Sequence, residues 1–311
     1  MLQSLGLLAW YGRFVLVAGL LAGLALPAVA QALRPWLSEM VLFLLFLTAF
    51  RVGFPAACEG LRRSWSVLGM VLTYQLVLPL LCLGIFTLFG LAQSPVAIAL
   101  TLMLAAPPLT GSPNLSLLLG HSPEPAFRLL VLGTLLLPLT LIPVFWFSPA
   151  LGSLTQALGA ALRLGAALGV TIALAFVARA VLRPKMSETE IRGVDGLTIL
   201  TLAIVVVGLM SAVAPALSTN PLALAGWLFI VLVVNLGLQV IAYLVLNRGG
   251  DMVNPAPMAV VAGNRNVALF LVASSATQTD SFLMFLGCYQ IPMYLTPFLM
   301  RPLLGRRVSS T

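Results

Sequence analysis

The sequence predicts an all-α membrane protein of ten transmembrane helices, arranged as two inverted repeats of five helices each. Three observations predict this fold class. Apolar residues make up 61% of the 311-residue chain and charged residues only 8%, which is too apolar for a soluble protein of this length. Ten apolar segments have about the 17 to 25 residues that a helix needs to cross a bilayer. Two similar Gly- and Asn-containing stretches lie 152 positions apart, one in each half of the chain.

These two stretches are Gly111-Ser112-Pro113-Asn114 and Gly263-Asn264-Arg265-Asn266, and an apolar run follows each of them. Each places polar residues in the middle of an otherwise apolar segment. Irregular backbone at membrane depth is tolerated only where protein or a water-filled cavity satisfies its hydrogen bonds. Paired interruptions at matching positions of two halves indicate the binding site of a transporter. We therefore predict that spans four and nine are broken helices that cross near the midplane.

The ten predicted spans follow one another with short connections. In the first half, residues 1–150, their cores are 14–30, 40–57, 64–89, 95–120 and 125–147. In the second half, residues 151–311, they are 154–181, 197–217, 222–246, 252–276 and 282–304. Because five is an odd number, the second repeat enters the membrane from the opposite face. Segment 14–30 is interpreted as a span, since further spans follow and no clear small-x-small cleavage site precedes Gln31.

We attribute the net charge of +8 to residues that orient the chain in the membrane and not to nucleic-acid binding, because the basic residues fall mostly in short loops. The side shared by both termini carries Arg13, Arg62, Arg63, Arg128, Arg179, Arg183, Lys185, Arg192, Arg248, Arg301, Arg306 and Arg307. The opposite side has Arg34 and Arg163. Both termini are therefore expected to be cytoplasmic in an inner cell membrane. The polar segment 183–192 is predicted to be a cytoplasmic loop between spans six and seven.

The cysteines do not indicate a metal site or a disulfide framework. Cys58, Cys82 and Cys288 are far apart, and none belongs to a CxxC motif. We expect them to be small core residues. The sole histidine, His121, is predicted to be a loop residue in preference to a proton relay.

The motifs of spans four and nine carry a resemblance to a known family. Residues 106–114, Ala-Pro-Pro-Leu-Thr-Gly-Ser-Pro-Asn, and residues 262–266, Ala-Gly-Asn-Arg-Asn, resemble the bile acid:sodium symporter family of the bile, arsenite and riboflavin transporter superfamily. Gln75, Leu78-Pro79, Thr134 and Pro138 support the resemblance. It implies a core domain from spans 3–5 and 8–10 and a panel domain from spans 1, 2, 6 and 7.

The chain departs from the family's sodium-site pattern. The Glu that lies two residues before the Gly of span nine in sodium-coupled relatives is Val261 here, a Gln is replaced by Arg265, and a Ser by Pro113. No Asp or Glu falls inside a predicted span. A dehydrated cation needs several oxygens, usually including a carboxylate. We therefore predict no cofactor and no strong sodium coupling, with Asn114, Ser116 and Thr134 as the remaining sodium candidates.

The predicted substrate-binding residues lie on the two interruptions and on span three. They are Tyr74, Gln75, Thr110, Gly111, Ser112, Asn114, Gly263, Asn264, Arg265 and Asn266. Two roles are open for Arg265: it caps the carbonyls of a half-helix ending near Leu109, or its guanidinium binds a substrate carboxylate or sulfonate. Half-helices that begin near Ser112 and Asn264 would add positive dipole ends, with Ser112 as N-cap and Pro113 in the first turn.

The leading functional prediction is a secondary active transporter of a small organic anion, sodium-independent or weakly coupled, in which the core domain rocks against the panel domain. One alternative is sodium symport through Asn114, Ser116 and Thr134. Another is a non-transporting membrane receptor on the same fold. A membrane enzyme is disfavoured because the predicted spans contain no paired carboxylates, metal cluster or Ser-His pair. Arsenite efflux is disfavoured because span four lacks a thiol. Lipid is the expected environment, and nucleic acid is not an expected partner.

Overall fold

The computed structural model describes residues 11–55, 57, 65–148, 154–248, 255–272 and 279–305, and over these ranges the chain is helical and forms no β-strand. Seven helical segments in these ranges are long and apolar enough to cross a membrane. They are Pro27–Val52, Trp65–Leu88, Glu124–Phe147, Leu158–Leu182, Glu188–Thr219, Pro221–Asn247 and Ser281–Leu299. Two shorter apolar helices are Phe14–Ala25 and Pro95–Ala105. The protein is therefore a multi-pass, all-helical membrane protein.

The first half of the chain contains eight α-helices within the described ranges. They are α1 (Gly12–Ala25), α2 (Pro27–Leu33), α3 (Leu37–Val52), α4 (Trp65–Leu72), α5 (Leu78–Leu88), α6 (Pro95–Ala105), α7 (Ser112–Leu118) and α8 (Glu124–Phe147). A 3-10 turn, Arg34–Trp36, joins α2 to α3. A π-helical segment, Thr73–Val77, joins α4 to α5.

The second half contains seven α-helices in the part that is described. They are α9 (Leu154–Leu182), α10 (Glu188–Leu209), α11 (Val213–Thr219), α12 (Pro221–Asn247), α13 (Pro255–Gly263), α14 (Thr279–Leu299) and α15 (Arg301–Leu304). A 3-10 helix, Val267–Val272, follows α13. Predicted spans five, six and eight agree with α8, α9 and α12 to within two residues at each end.

The chain folds as two compact units. Unit 1 comprises Met1–Glu59, Gly159–Trp227 and Ala268–Cys288, and unit 2 comprises Gly60–Leu158, Leu228–Val267 and Tyr289–Thr311. Both interruptions, α6 to α7 and α13 to Asn266, belong to unit 2. The predicted core and panel domains stay a prediction.

In unit 1, small residues on α1 allow it to lie directly against α10. A Cβ added at Gly19 would lie 2.9 Å from the carbonyl oxygen of Ala203, and one added at Gly23 would lie 2.7 Å from Cγ of Met210. Gly19 and Gly23 form a G-x-x-x-G pattern, in which glycines one turn apart let two helices approach closely. In this chain the pattern joins two helices of the same molecule.

The predicted boundary between spans one and two is wrong. The helix that begins at Gly12 ends at Ala25, and Leu26 adopts φ −120° and ψ 66° before the next helix starts at Pro27. A residue that precedes proline is sterically disfavoured in the α conformation. The apolar segment that begins at Pro27 then continues to Val52. Span two therefore starts earlier than the predicted residue 40, and the end of its predicted core, at residues 56–57, lies partly outside the described residues.

The predicted loop 183–192 is also shorter than expected. Helix α10 begins at Glu188, and its first turn is closed by a capping box between Ser187 and Glu190. The Ser187 hydroxyl accepts from the Glu190 N–H at 3.3 Å, and the Glu190 carboxylate accepts from the Ser187 N–H at 2.9 Å. This S-x-x-E signature places five residues of the predicted loop, 188–192, in a helix.

Unit 2 has a hydrophobic core where α4, α8 and α13 meet. Its buried members include Val71, Tyr74, Leu129 and Val261. Tyr74 lies in the π-helical segment, so the extra residue in that turn places an aromatic ring against α13. A π-helical turn inside a membrane helix often marks a functional position. This core holds the first of the predicted site residues in place.

Candidate functional site

The two interrupted helices of unit 2 cross through their backbones. The Leu109 N–H donates to the carbonyl of Asn264 at 2.9 Å, and the Asn266 N–H donates to the carbonyl of Pro107 at 2.8 Å. These two bonds pair Pro108 with Arg265 as an isolated antiparallel bridge. The bonds satisfy backbone groups that the two breaks would otherwise leave without partners. We call this arrangement the crossover.

The local sequence explains where each helix stops, and it corrects two of the predicted positions. Helix α6 ends at Ala105, not near Leu109, because Ala106 precedes the prolines Pro107 and Pro108 and adopts an extended conformation with ψ 149°. Helix α7 has Gly111 as its N-cap and makes no side-chain cap bond. Ser112 is therefore the first helical residue and not the cap.

The second break also differs in detail from the prediction. Helix α13 ends at Gly263, and the chain resumes a helical path at Val267 as a 3-10 helix, not as an α-helix beginning near Asn264. Both ends of predicted span nine, residues 252–254 and 273–276, lie outside the described residues. The positive dipole end that was expected at Asn264 is therefore not present as an α-helical terminus.

Arg265 lies where the C-terminal ends of two helices meet. Its side chain is 1% exposed. The Nε–H donates to the carbonyl of Ala262 at 3.1 Å, in the last turn of α13, and Nη1 donates to the carbonyl of Ala106 at 3.3 Å, at the C-cap of α6. The carbonyls at a helix C-terminus carry a partial negative charge. The guanidinium therefore occupies a position with two negative dipole ends, the kind of position that suits a bound cation.

Two tyrosines complete the surroundings of Arg265. The guanidinium carbon lies 4.8 Å from the centre of the Tyr74 ring, within the range of a cation–π interaction. The backbone N–H of Arg265 donates to the Tyr289 hydroxyl at 3.1 Å, and that hydroxyl donates to the carbonyl of Gly263. Nη2 has no hydrogen-bond partner among the described residues. Both N–H donors of Nη2 are therefore unused.

A buried polar network joins α12, α13 and α14 next to the crossover. Asn235 donates to the carbonyl of Gly263 at 2.5 Å, and Gln239 donates to the Asn235 side-chain oxygen at 2.8 Å and to the Thr296 hydroxyl at 3.1 Å. The Asn264 side chain donates to the carbonyl of Val260 at 2.8 Å. All four of these side chains are fully buried. The network holds the C-terminal end of α13 in place, and it therefore also positions Arg265, two residues after that end.

Sequence reasoning missed Asn235, Gln239, Tyr289 and Thr296. A signal was available, because Asn235 and Gln239 are polar residues four positions apart in an otherwise apolar 27-residue helix. Residues with this spacing share one helix face, and polar side chains inside a membrane span usually face protein.

Glycines allow the close approaches on which the crossover depends. A Cβ at Gly263 would lie 2.7 Å from Cγ of Gln239, and it would also meet the backbone oxygen of Asn235. A Cβ at Gly133, on α8, would lie 2.8 Å from Nε2 of Gln75 and 2.8 Å from Cδ of Pro108. Neither position has room for a larger residue. Gly263 in the repeated motif therefore has a packing role.

The predicted site residues divide into two layers. Tyr74, Gln75, Ser112, Gly263, Asn264 and Arg265 are buried, whereas Thr110, Gly111 and Asn266 are half-buried and Asn114 is exposed. Asn266 contacts Thr110 across the crossover, its amide donating to the hydroxyl at 3.4 Å. We call the first set the buried layer and the second the accessible layer. Only the accessible layer is open to a molecule approaching unit 2 in this conformation.

Besides Arg265, two side chains of the buried layer have unused polar atoms. The amide nitrogen and oxygen of Gln75 have no hydrogen-bond partner within the described ranges, and the same is true of the Ser112 hydroxyl. Both residues are fully buried. Unsatisfied buried polar groups are costly, so these positions are typical of a site whose geometry changes when it is occupied or when the protein moves.

The three sodium candidates have different surroundings. The Ser116 hydroxyl donates to the carbonyl of Ser112 at 3.0 Å, and the Thr134 hydroxyl donates to the carbonyl of Leu130 at 2.7 Å, each one turn back in its own helix. Asn114 is exposed. No cluster of three or more His, Cys, Asp or Glu side chains is present in the described ranges. His121 lies in the turn before α8, with Nε2 2.6 Å from the carbonyl of Leu304.

No protein-family model matches the sequence, and a search of curated proteins finds no match. The resemblance to the bile acid:sodium symporter family therefore stays a prediction from the motifs of spans four and nine. Functional conclusions must come from the geometry of the crossover.

Proposed function

We propose that the protein is a secondary active transporter of a small organic anion, in which the guanidinium of Arg265 takes the place of a coupling cation. The proposed architecture has ten transmembrane helices in two inverted repeats, with both termini cytoplasmic. Transport would proceed by alternating access, with the crossover as the fixed point around which the site opens to one side and then to the other.

The observation that carries the proposal is the position of Arg265 between the C-terminal ends of α6 and α13. Broken membrane helices that meet through unwound backbone are the usual way to build a midplane site in a secondary transporter. Helix C-terminal carbonyls at such breaks are typical ligands of a transported or coupling cation. A guanidinium that is hydrogen-bonded to the C-terminal ends of both helices supplies the positive charge of such a cation permanently.

A permanent charge also favours an anionic substrate. None of the groups that bond to Arg265 in the described part of the chain is a carboxylate, so its charge is offset only by dipoles and by the Tyr74 ring. In a low-dielectric interior such a charge acts over several ångströms. An anion held at the accessible layer by Thr110, Asn266 and Asn114 would be attracted by it without touching it.

The same arrangement argues against strong sodium coupling. Val261 occupies the position of the sodium-site Glu in the resembling family, and it is fully buried in the core of unit 2. The chain thus combines an added cation with a missing anion, and each change alone disfavours a bound metal ion at this place. Arg265 and Val261 together support a carrier that does not need sodium.

The proposal is tested by uptake into proteoliposomes. The purified protein would be reconstituted and offered radiolabelled bile acid, keto acid, pantoate and alkyl sulfonate, with either sodium or potassium outside. We expect saturable uptake of at least one anion, with rates that are equal in the two salts. Arg265→Lys keeps the charge and should retain part of the uptake, whereas Arg265→Gln should abolish it.

Three results would contradict the proposal. Uptake that requires sodium would show that Arg265 does not replace the cation. Saturable binding of an anion without any uptake would indicate a receptor on the same fold. Full uptake by a correctly folded Arg265→Gln protein would show that transport does not require the guanidinium.

A further inference from the structure

A second cationic site lies in unit 1, where α3 and α9 end and α10 begins. Two of its three arginines are matched by carboxylates. Arg51 forms two hydrogen bonds with Asp195, one of them 3.1 Å long between Nη2 and Oδ2. Arg183 lies 2.8 Å from Glu190. Asp195 and Glu190 are therefore already paired with arginines.

The third arginine, Arg179, forms no ion pair of its own among the described residues and interacts electrostatically with Glu190, which is already paired with Arg183. It lies in the last turn of α9, with its guanidinium carbon 6.0 Å from the centre of the Phe50 ring. Nη1 is buried and has no hydrogen-bond partner among the residues that the structure describes. Gly53, in the left-handed region with φ +75°, turns the chain beside this side chain. The three arginines of this cluster thus share two carboxylates, Asp195 and Glu190, and the excess positive charge near the end of a membrane helix favours an anion from outside.

The surface beside Arg179 is apolar and open. Phe54 is 61% exposed and Leu182 is 62% exposed. The Phe54 ring meets Phe176 edge-on at 5.8 Å, and Phe176 lies one turn before Arg179 on the same face of α9. A cation next to exposed aromatic and aliphatic side chains matches a molecule that has an anionic head and an acyl chain. A free phosphate ion would use only the cation.

We propose that Arg179 binds the phosphate of an anionic phospholipid at this edge of unit 1, with Phe54 and Phe176 in contact with its acyl chain. Basic positions at membrane-helix ends attract anionic lipid headgroups by about 1 kcal/mol each, and an arginine fork matches two phosphate oxygens. The site is separate from the proposed transport site, so either proposal can fail without the other.

The test measures the thermal stability of the full-length protein in detergent with added phosphatidylglycerol, phosphatidylcholine or inorganic phosphate. Phosphatidylglycerol should raise the melting temperature more than phosphatidylcholine does. Arg179→Gln should weaken the apparent affinity for phosphatidylglycerol about fivefold. The control, Arg192→Gln, removes the same charge from an exposed position near the start of α10 and should leave the affinity unchanged.

Several results would overturn the assignment. They are equal stabilisation by both lipids, an equal loss in Arg179→Gln and Arg192→Gln, and an effect of inorganic phosphate as large as that of the lipid. If Arg179→Gln does not fold, Phe54→Ala decides the question, because this exposed ring carries no charge and is proposed to contact the acyl chain. Phe54→Ala should weaken binding of long-chain phosphatidylglycerol, and unchanged binding would contradict the proposal.

Discussion

The guanidinium of Arg265 lies over the ring of Tyr74, 4.8 Å from its centre. Both residues are buried, and each comes from a segment of unit 2 that departs from regular α-helix, the π-helical turn and the break after α13. The ring supplies the negative face that a desolvated cation needs. The irregular backbone of span three and that of span nine are therefore energetically linked.

This link predicts a coupling between the two side chains. Tyr74→Phe keeps the ring and loses only the 3.3 Å bond to the carbonyl of Met258, so its effect on stability should be below about 1 kcal/mol. Tyr74→Leu removes the cation–π contact and should cost about 2 kcal/mol. A double-mutant cycle with Arg265→Gln, measured by thermal unfolding in detergent, should show a coupling of about 1 kcal/mol. Strict additivity would show that the contact contributes nothing.

Loss of the guanidinium should open the crossover. Arg265→Ala leaves the carbonyls of Ala262 and Ala106 without their side-chain donors, and we expect a loss of about 3 kcal/mol in the free energy of unfolding. Arg265→Lys keeps the charge but not the planar fork that reaches both carbonyls, so its loss should be smaller. Hydrogen exchange of amides near Leu109 and Asn266 would localise the effect. Uniform exchange across unit 2 would argue against a local brace.

Gly263 should tolerate no side chain. Gly263→Ala would press a methyl group against the Asn235 backbone and the Gln239 side chain, and we expect a loss of about 3 kcal/mol or failure to fold. Gly237→Ala is the matched control, since it lies on α12 in the same unit with no atom within 4 Å of the added methyl. The control should be neutral or slightly stabilising. Expression level and melting temperature in detergent measure both effects.

The network of α12 and α14 should be cooperative. Thr296→Val and Gln239→Leu each break the 3.1 Å bond between the two side chains, and each should cost about 0.5 to 2 kcal/mol. The double variant should cost less than the sum, because the second substitution removes a group that the first has already left unpaired. If the two losses of stability are fully additive, the side chains of Thr296 and Gln239 do not stabilise each other.

The sequence was sufficient to predict the class of fold and the two interruptions. The reason is physical. The length of an apolar segment follows from the thickness of the bilayer, and a polar motif such as Gly263-Asn264-Arg265-Asn266 is easily recognised inside an apolar segment. The antiparallel main-chain pairing at Pro108 and Arg265 agrees with the predicted crossing of these two segments. The inverted-repeat architecture and the substrate class stay predictions.

The sequence was less informative about boundaries and about which polar residues brace the site. The break at Leu26 depends on a steric effect of Pro27 that a hydropathy count does not detect. The early start of α10 depends on the capping box of Ser187 and Glu190. The roles of Asn235 and Thr296 depend on distances between helices far apart in the chain, which no local pattern encodes.

The pairing of Leu109 with Asn264 and of Asn266 with Pro107 uses main-chain atoms alone. No side chain takes part in either bond, so substitutions other than proline at 109 or 266 leave the donors and acceptors themselves in place. The side chains around the junction can therefore differ in charge and size while the peptide groups that join the two breaks stay the same.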